Sequence, residues 1–217
     1  MHPSWLSNAY VVADEPGGVA VFVDSGAPLE PLLQMVERER LTPTYVLRTH
    51  SHADHVEHEE ELCGRFGIDV VAGDVESGGL HVQAIATPGH SPDGVSFVVN
   101  EELCFSGDTL FKNAVGGGDA EEVRRSVMER LMTLDSKMRL LPGHTDESSI
   151  GQEWGQNPFV TYWRGAAPSL DEPVLAAGRE ATLVVWSPDY DGKGKALVRF
   201  ADGEEAIVGG SLVQRAR

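Results

Sequence analysis

The stretch Thr49-His50-Ser51-His52-Ala53-Asp54-His55 places four metal-ligand side chains within six positions. Imidazole nitrogen and carboxylate oxygen both suit zinc and its neighbours in the first transition row. His50 and His52 stand two apart at the end of an expected strand, so their side chains can share one side. Asp54 and His55 follow where the chain turns into a helix. Four ligands this close could serve two adjacent ions. Two ions about 3.5–4 Å apart can share a hydroxide and bring the pKa of its parent water towards neutrality. That hydroxide would attack a carbonyl while one ion polarises the carbonyl oxygen and steadies the oxyanion.

Three later segments repeat a simpler device, a ligand-type residue just after a strand. They are Thr87-Pro88-Gly89-His90-Ser91-Pro92, Phe105-Ser106-Gly107-Asp108-Thr109-Leu110-Phe111 and Leu141-Pro142-Gly143-His144-Thr145. One histidine after a strand is more often a structural hydrogen bonder. Four strand ends carrying such residues are what converging sheet edges would give. No G-x-S-x-G elbow is present, and a metal-activated nucleophile needs none. Of the other histidines, His58 reads as a solvated helical residue among Glu57, Glu59, Glu60 and Glu61, while His2 and His81 match no motif. Lys112 could reach an anionic substrate, and reads equally well as an ordinary solvated lysine.

These residues need strands that end together and helices that cover them. Leu6 to Ala13 and Gly18 to Asp24 read as strands around a Glu-Pro-Gly-Gly turn. Pro28 to Leu41 has helical apolar spacing, with Pro31 in the first turn where proline is tolerated. Thr44 to Arg48 reads as a buried strand, and Asp54 to Phe66 as one helix stopped by Gly67. Ile68 to Ala72, His81 to Ala86, Gly94 to Val99, Leu103 to Phe105 and Arg139 to Leu141 read as strands. Asp119 to Leu134 reads as a helix with Asp119 as N-cap and Glu122 three residues on. Past a polar stretch bracketed by Pro168 and Pro173, three strands are expected: Thr182 to Trp186, Ala196 to Phe200 and Ala206 to Val208. Asp191-Gly192 and Asp202-Gly203 supply their turns. This meander is too small to stand alone. It is expected to cover an edge or form a dimer contact, with at most an indirect effect on the pocket.

The order His-x-His-x-Asp-His, then His90, Asp108 and His144, resembles the metallo-β-lactamase superfamily. Within it the chain resembles the glyoxalase-II-like (hydroxyacylglutathione hydrolase-like) bacterial hydrolases, over about Leu6 to Phe159. The resemblance implies an α+β fold, a four-layer αββα sandwich with the site along one edge, here followed by the small C-terminal all-β meander. Residues 1–167 would form the hydrolase domain and 168–217 the β module. It implies two divalent ions, zinc first and iron or manganese as alternatives. His50, His52 and His90 would bind one ion, Asp54, His55 and His144 the other, and Asp108 would bridge them. Asp54 and Asp108 are the catalytic candidates, Asp54 being a ligand that could also steer the hydroxide or carry a proton. Ser148 to Glu153 and Asn157-Pro158-Phe159 resemble the small bacterial members, as a family marker and pocket wall.

The function implied is hydrolysis of an acyl thioester of a small molecule by a metal-bridging hydroxide. Glutathione-using relatives carry an arginine and an acidic residue in a longer loop after Gly-Asp-Thr-Leu-Phe. Here Lys112 to Asp119 has neither the arginine nor the insertion, which points to another thiol carrier. The alternatives are a persulfide dioxygenase with one iron on His50, His90 and Asp108, and a lactonase. Asp108 counts against β-lactamase activity, because those enzymes lack the bridging aspartate. The net charge of -17 disfavours nucleic acid and anionic membranes as partners. The N-terminus has neither the basic nor the apolar region of a leader, and no apolar run has membrane-spanning length. Cys63 and Cys104 read as two free buried thiols of a reducing compartment, so a cytoplasmic location is expected.

Overall fold

The run Val-Ala-Val-Phe-Val forms β2 (Val19–Val23), whose last four residues are buried, as a strand covered on both faces requires. The computed structural model describes residues 4 and 6–215, so His2 lies outside the described residues. β2 sits between β1 (Tyr10–Ala13) and β3 (Thr42–Leu47), with β4 (Asp69–Val71) beyond. β1 pairs antiparallel with β2, whereas β2, β3 and β4 run parallel. Parallel neighbours need crossovers, and these are α1 (Leu29–Glu39) and the helical segment after β3.

A second sheet holds β5 (Val75–Ser77), β6 (Leu80–Ala86), β7 (Val95–Val99), β8 (Leu103–Gly107), β12 (Arg139–Pro142) and β13 (Ser148–Ser149), in the order β13-β12-β8-β7-β6-β5. Between β8 and β12, β9 (Leu110–Phe111) and β10 (Ala114–Val115) pair as a separate short hairpin. Side chains alternate across each strand. Val21, Val23 and Leu47 therefore meet Leu80, Val82, Phe97 and Phe105 between the sheets. Phe22 and Val46 face the other way, onto Leu29 and Val36 of α1 and onto Leu62. Val98, Cys104 and Leu140 face α4 (Ala120–Glu129), α5 (Ile150–Gln156) and α6 (Pro158–Trp163). The result is the expected helix–sheet–sheet–helix sandwich.

The helix expected over Asp54 to Phe66 is two helices, α2 (Ala53–Val56) and α3 (Glu59–Phe66). The His55 carbonyl accepts from Ser25 N at 2.8 Å, so it is diverted from the helical bond that Glu59 N would make. His58 leaves helical geometry (φ -113°, ψ 15°) and caps α3. Leu6 to Ala13 begins as a strand only at Tyr10; Leu6 has φ 60°, and Ser7 instead bridges to His144. The Asp119 helix ends at Glu129 and continues as a 3-10 turn over Leu131–Thr133. The Asp119 carboxylate accepts from Glu122 N at 2.8 Å, as an N-cap should.

The C-terminal region is larger than the three strands expected. β14 (Glu172–Ala176), β15 (Arg179–Ser187), β16 (Lys195–Phe200), β17 (Glu205–Gly209) and β18 (Val213–Arg215) join β11 (Gly118–Asp119) in the order β11-β17-β16-β15-β14-β18. The β14–β15 turn is Ala177-Gly178, both with positive φ (48° and 78°), where alanine gave no turn signal. Val184, Val185, Leu197 and Ile207 pack into the cluster under α4, α5 and α6. The opposite face encloses Leu183, Ala196, Val198 and Phe200. Cys104 is buried and Cys63 only half-buried, correcting one of the two thiols expected inside; both are free. Among the described residues, no helix is long and apolar enough to cross a membrane.

Candidate metal centre

All seven candidate ligands lie at the C-terminal ends of core strands or on α2. His50 and His52 follow β3, and Asp54 and His55 ride on α2. His90 follows β6, Asp108 follows β8 and His144 follows β12. The glycine in Pro142-Gly143-His144 has a direct cause: a side chain at Gly143 would come within 2.4 Å of Asp108 Oδ1 and 2.7 Å of the His55 ring.

The ligand atoms form two groups. In the first, His52 Nδ1 lies 3.0 Å from both His50 Nε2 and His90 Nε2. In the second, Asp54 Oδ2 lies 3.7 Å from His55 Nε2 and 3.4 Å from His144 Nε2. Within each set the ligand atoms lie within 4.8 Å of one another. Asp108 reaches both: Oδ1 is 3.3 Å from His55 Nε2, and Oδ2 is 3.5 Å from His90 Nε2 and 3.3 Å from His144 Nε2.

This arrangement fits metal ions. Three ring nitrogens this close, two of them 3.0 Å from the third, gain little from each other but suit a cation between them. His55 Nε2 and Asp108 Oδ1 are buried without a hydrogen-bond partner, a costly state that a coordinate bond would relieve.

The far side of each buried ring is fixed by a protein acceptor, which sets the tautomer and leaves the other nitrogen free to bind a metal. His55 Nδ1 donates to Asp24 Oδ2 at 2.8 Å, His90 Nδ1 to the Gly117 carbonyl at 2.8 Å and His144 Nδ1 to the Leu6 carbonyl at 3.0 Å. Thr49 Oγ1 gives its proton to Asp24 Oδ2 and so accepts from His50 Nδ1 at 3.1 Å. Asp24, 2% exposed, thus supports one histidine directly and another through Thr49.

Protonation differs between the groups. Burial, with His55 nearby, pushes His50 down to about 4. Burial also lowers His90, against the pull of Asp108. For His144 burial is outweighed by hydrogen bonds with Asp108 and Asp54, which hold it up at about 9. For His55 burial is outweighed by Asp108 and Asp24, which hold it up at about 11. Burial would raise Asp108, but His144 and His55 keep it ionised, well below the usual carboxylate range.

Sequence reasoning missed Asp24, the Gly117 and Leu6 carbonyls and Tyr190. The aromatic ring of Tyr190, from the loop between β15 and β16, lies flat on His144 with centroids 4.1 Å apart and planes 3° apart. The C-terminal sheet therefore touches the site directly, which corrects the indirect role expected of it. His58 lies against Glu57 at 3.7 Å and His81 against Glu76, both away from the two groups. Lys112 pairs with Asp146 at 3.3 Å. Glu153 and Asn157 are fully buried. They hold the segment after Phe111 through Asn113 N at 2.7 Å and the Ala114 carbonyl at 3.0 Å, as support beneath the site.

The Metallo-beta-lactamase superfamily domain matches residues 3–77. An uncharacterized protein of Mycobacterium tuberculosis is 31% identical, the match covering 70% of this chain and 92% of the relative. The probable metallo-hydrolase YqgX of Bacillus subtilis is 29% identical over 71% and 92% of the two chains. Hydroxyacylglutathione hydrolase GloC of Haemophilus influenzae is 24% identical over 72% and 94%. Among solved structures, the BLEG-1 B3 metallo-beta-lactamase superposes with a TM-score of 0.67 at 28% identity, covering 71% of this chain and 94% of its own. ETHE1 from Myxococcus xanthus gives 0.65 at 29% identity, covering 76% and 88%. TTHA1623, crystallised in a di-iron-bound form, gives 0.61 at 28% identity, covering 73% and 97%. Relatives matched over nearly their whole length, on a sandwich built the same way, make this chain a member of the metallo-β-lactamase superfamily.

Proposed function

We propose that this member is a binuclear zinc hydrolase that cleaves an acyl thioester of a small molecule. The observation that carries the reading is Asp108, whose carboxylate lies between the two donor groups: Oδ2 is 3.5 Å from His90 Nε2 of the first and 3.3 Å from His144 Nε2 of the second, and Oδ1 is 3.3 Å from His55 Nε2. Two ions bound there would supply a water of near-neutral pKa and a Lewis acid for the carbonyl. His50, His52 and His90 hold one side, and Asp54, His55 and His144 the other. Asp54, partly exposed, is placed to accept a proton from an attacking water or hold it in line. The likeness to GloC, named a hydroxyacylglutathione hydrolase, supports thioester chemistry, and the di-iron form of TTHA1623 supports two ions. The absence of arginine between Lys112 and Asp119 favours a thiol carrier other than glutathione.

The test is elemental analysis of protein purified without added metal, alongside hydrolysis of a panel of acyl thioesters and lactones. Two zinc ions per chain with thioester cleavage are expected. One iron per chain, oxygen uptake with a persulfide and no thioester cleavage would overturn the reading in favour of a dioxygenase.

A further inference from the structure

We propose that the C-terminal sheet is a recognition element of the metal site: Tyr190 contacts the acyl substrate through its hydroxyl, and the Asp189–Lys195 pair positions the loop that presents it. The inference rests on the thioester-hydrolase reading for its substrate class, an acyl compound with an oxygen acceptor beside the second donor group.

The position of Tyr190 is the first observation. Its ring covers His144, and Phe111 sets an edge against both, with centroids 5.7 Å from His144 and 5.9 Å from Tyr190. The side of the second donor group is therefore walled by a residue of the C-terminal sheet. The hydroxyl is the second. It makes no hydrogen bond to any described residue, so its donor is free for a ligand.

The third observation is how firmly the loop is held. Lys195 Nζ and Asp189 Oδ2 lie 3.0 Å apart, with side chains only 12% and 3% exposed. A pair this buried adds little net stability, and its best-attested use is to fix a geometry. Asp189 Oδ1 also accepts from Tyr190 N at 2.9 Å, and its carbonyl from Gly192 N at 3.0 Å. Lys195 Nζ lies 4.0 Å from where a Cβ on Gly117 would stand, and the Gly117 carbonyl orients His90. One buried pair thus links Tyr190 over the second donor group to the residue behind the first. A purely structural reading makes Tyr190 a cover for His144; that requires the ring and not the hydroxyl.

Tyr190→Phe separates the two. Wild type, Tyr190→Phe and Tyr190→Ala are compared as full-length, metal-loaded proteins. Tyr190→Phe is expected to keep metal content and melting temperature. Its KM for the thioester should rise about tenfold with kcat within about twofold, as loss of a binding contact does. Cobalt-substituted protein titrated with acetate, read by visible absorption, should show a similar weakening. Tyr190→Ala should show both losses and release metal to a chelator faster. Asp189→Asn should raise KM while metal content stays, as a positioning residue would. Unchanged KM and acetate affinity in Tyr190→Phe would overturn the hydroxyl contact, and unchanged KM in Asp189→Asn would overturn the brace. If the wild type cleaves no thioester, the proposed function fails, and the acetate titration still decides the role of Tyr190.

Discussion

At His50 and His90 burial presses the imidazoles towards neutrality, whereas at His55 and His144 carboxylates hold protons on rings that are buried at least as deeply. The same side chain is prepared in two ways a few ångströms apart. His50 and His90 would meet a cation as neutral rings. His55 and His144 would each have to give up a proton to one. Metal entry beside His55 and His144 would then be an exchange, with an affinity that rises with pH.

Asp108→Ala acts on both groups and should have the largest effect. Metal content should fall by more than half, and thioester hydrolysis by more than about a hundredfold, beyond the usual cost of losing a ligand's outer hydrogen-bond partner. Full metal and full activity in that variant would remove Asp108 from the bridge. The single-group variants come next. His90→Ala should lose the first ion and His144→Ala the second, each retaining about one ion per chain by elemental analysis. A protein working with one iron on His50, His90 and Asp108 would instead tolerate His144→Ala. Asp24→Asn leaves every candidate ligand in place but removes the charge and one of the two acceptor oxygens that serve His55 and Thr49. Metal binding should weaken about 10–100-fold, mainly in the second group, as titration against a competing chelator would reveal.

The smallest effect is on the stability of the metal-free protein with pH. His144 and His55 have folded pKa values raised above the ordinary 6.5. The stability they contribute is full below 6.5 and is lost as pH rises through about 9 and then about 11. His50 is shifted the other way, so its contribution is lost as pH falls from 6.5 towards about 4. Melting temperature without metal should therefore peak near pH 6.5 and drop by a few degrees on either side. Metal-loaded protein should lose the alkaline decline, because the protons are already gone. A metal-free melting temperature that climbs from pH 6.5 to 9 would contradict the contrast between the groups.

The candidate ligands were legible because they are compressed in sequence: His50, His52, Asp54 and His55 share one short stretch, and the other three each follow an apolar strand. Asp24 was not, because Val-Asp-Ser-Gly after β2 reads as an ordinary turn. Its signal was a carboxylate directly after a fully apolar run, which has to find a buried partner. The break between α2 and α3 was hidden by Glu57 to Glu61, good helix formers whose propensity yields to the bond from Ser25. Tyr190 was the least visible. It sits in Asp-Tyr-Asp-Gly, where the turn signal is correct, and only the tertiary fold brings that turn onto His144. The β-meander was recognised by its Asp-Gly turns. Its outer strands escaped because β14 and β18 pair with each other across 36 intervening residues, which no local pattern reports.

Asp119 does three jobs at once: it is the last residue of β11 in the C-terminal sheet, it caps α4, and its N–H bonds the Gly89 carbonyl next to His90. A residue shared in this way makes unfolding cooperative. The sheet cannot detach without uncapping a core helix and loosening the loop that carries a candidate ligand. Heating should therefore melt the chain in one calorimetric transition, with metal release and loss of the C-terminal strands at the same temperature. It also means that an appendage which looks grafted on has become a hostage of the core: exchanging it for another module would require rebuilding Gly116 to Asp119 first.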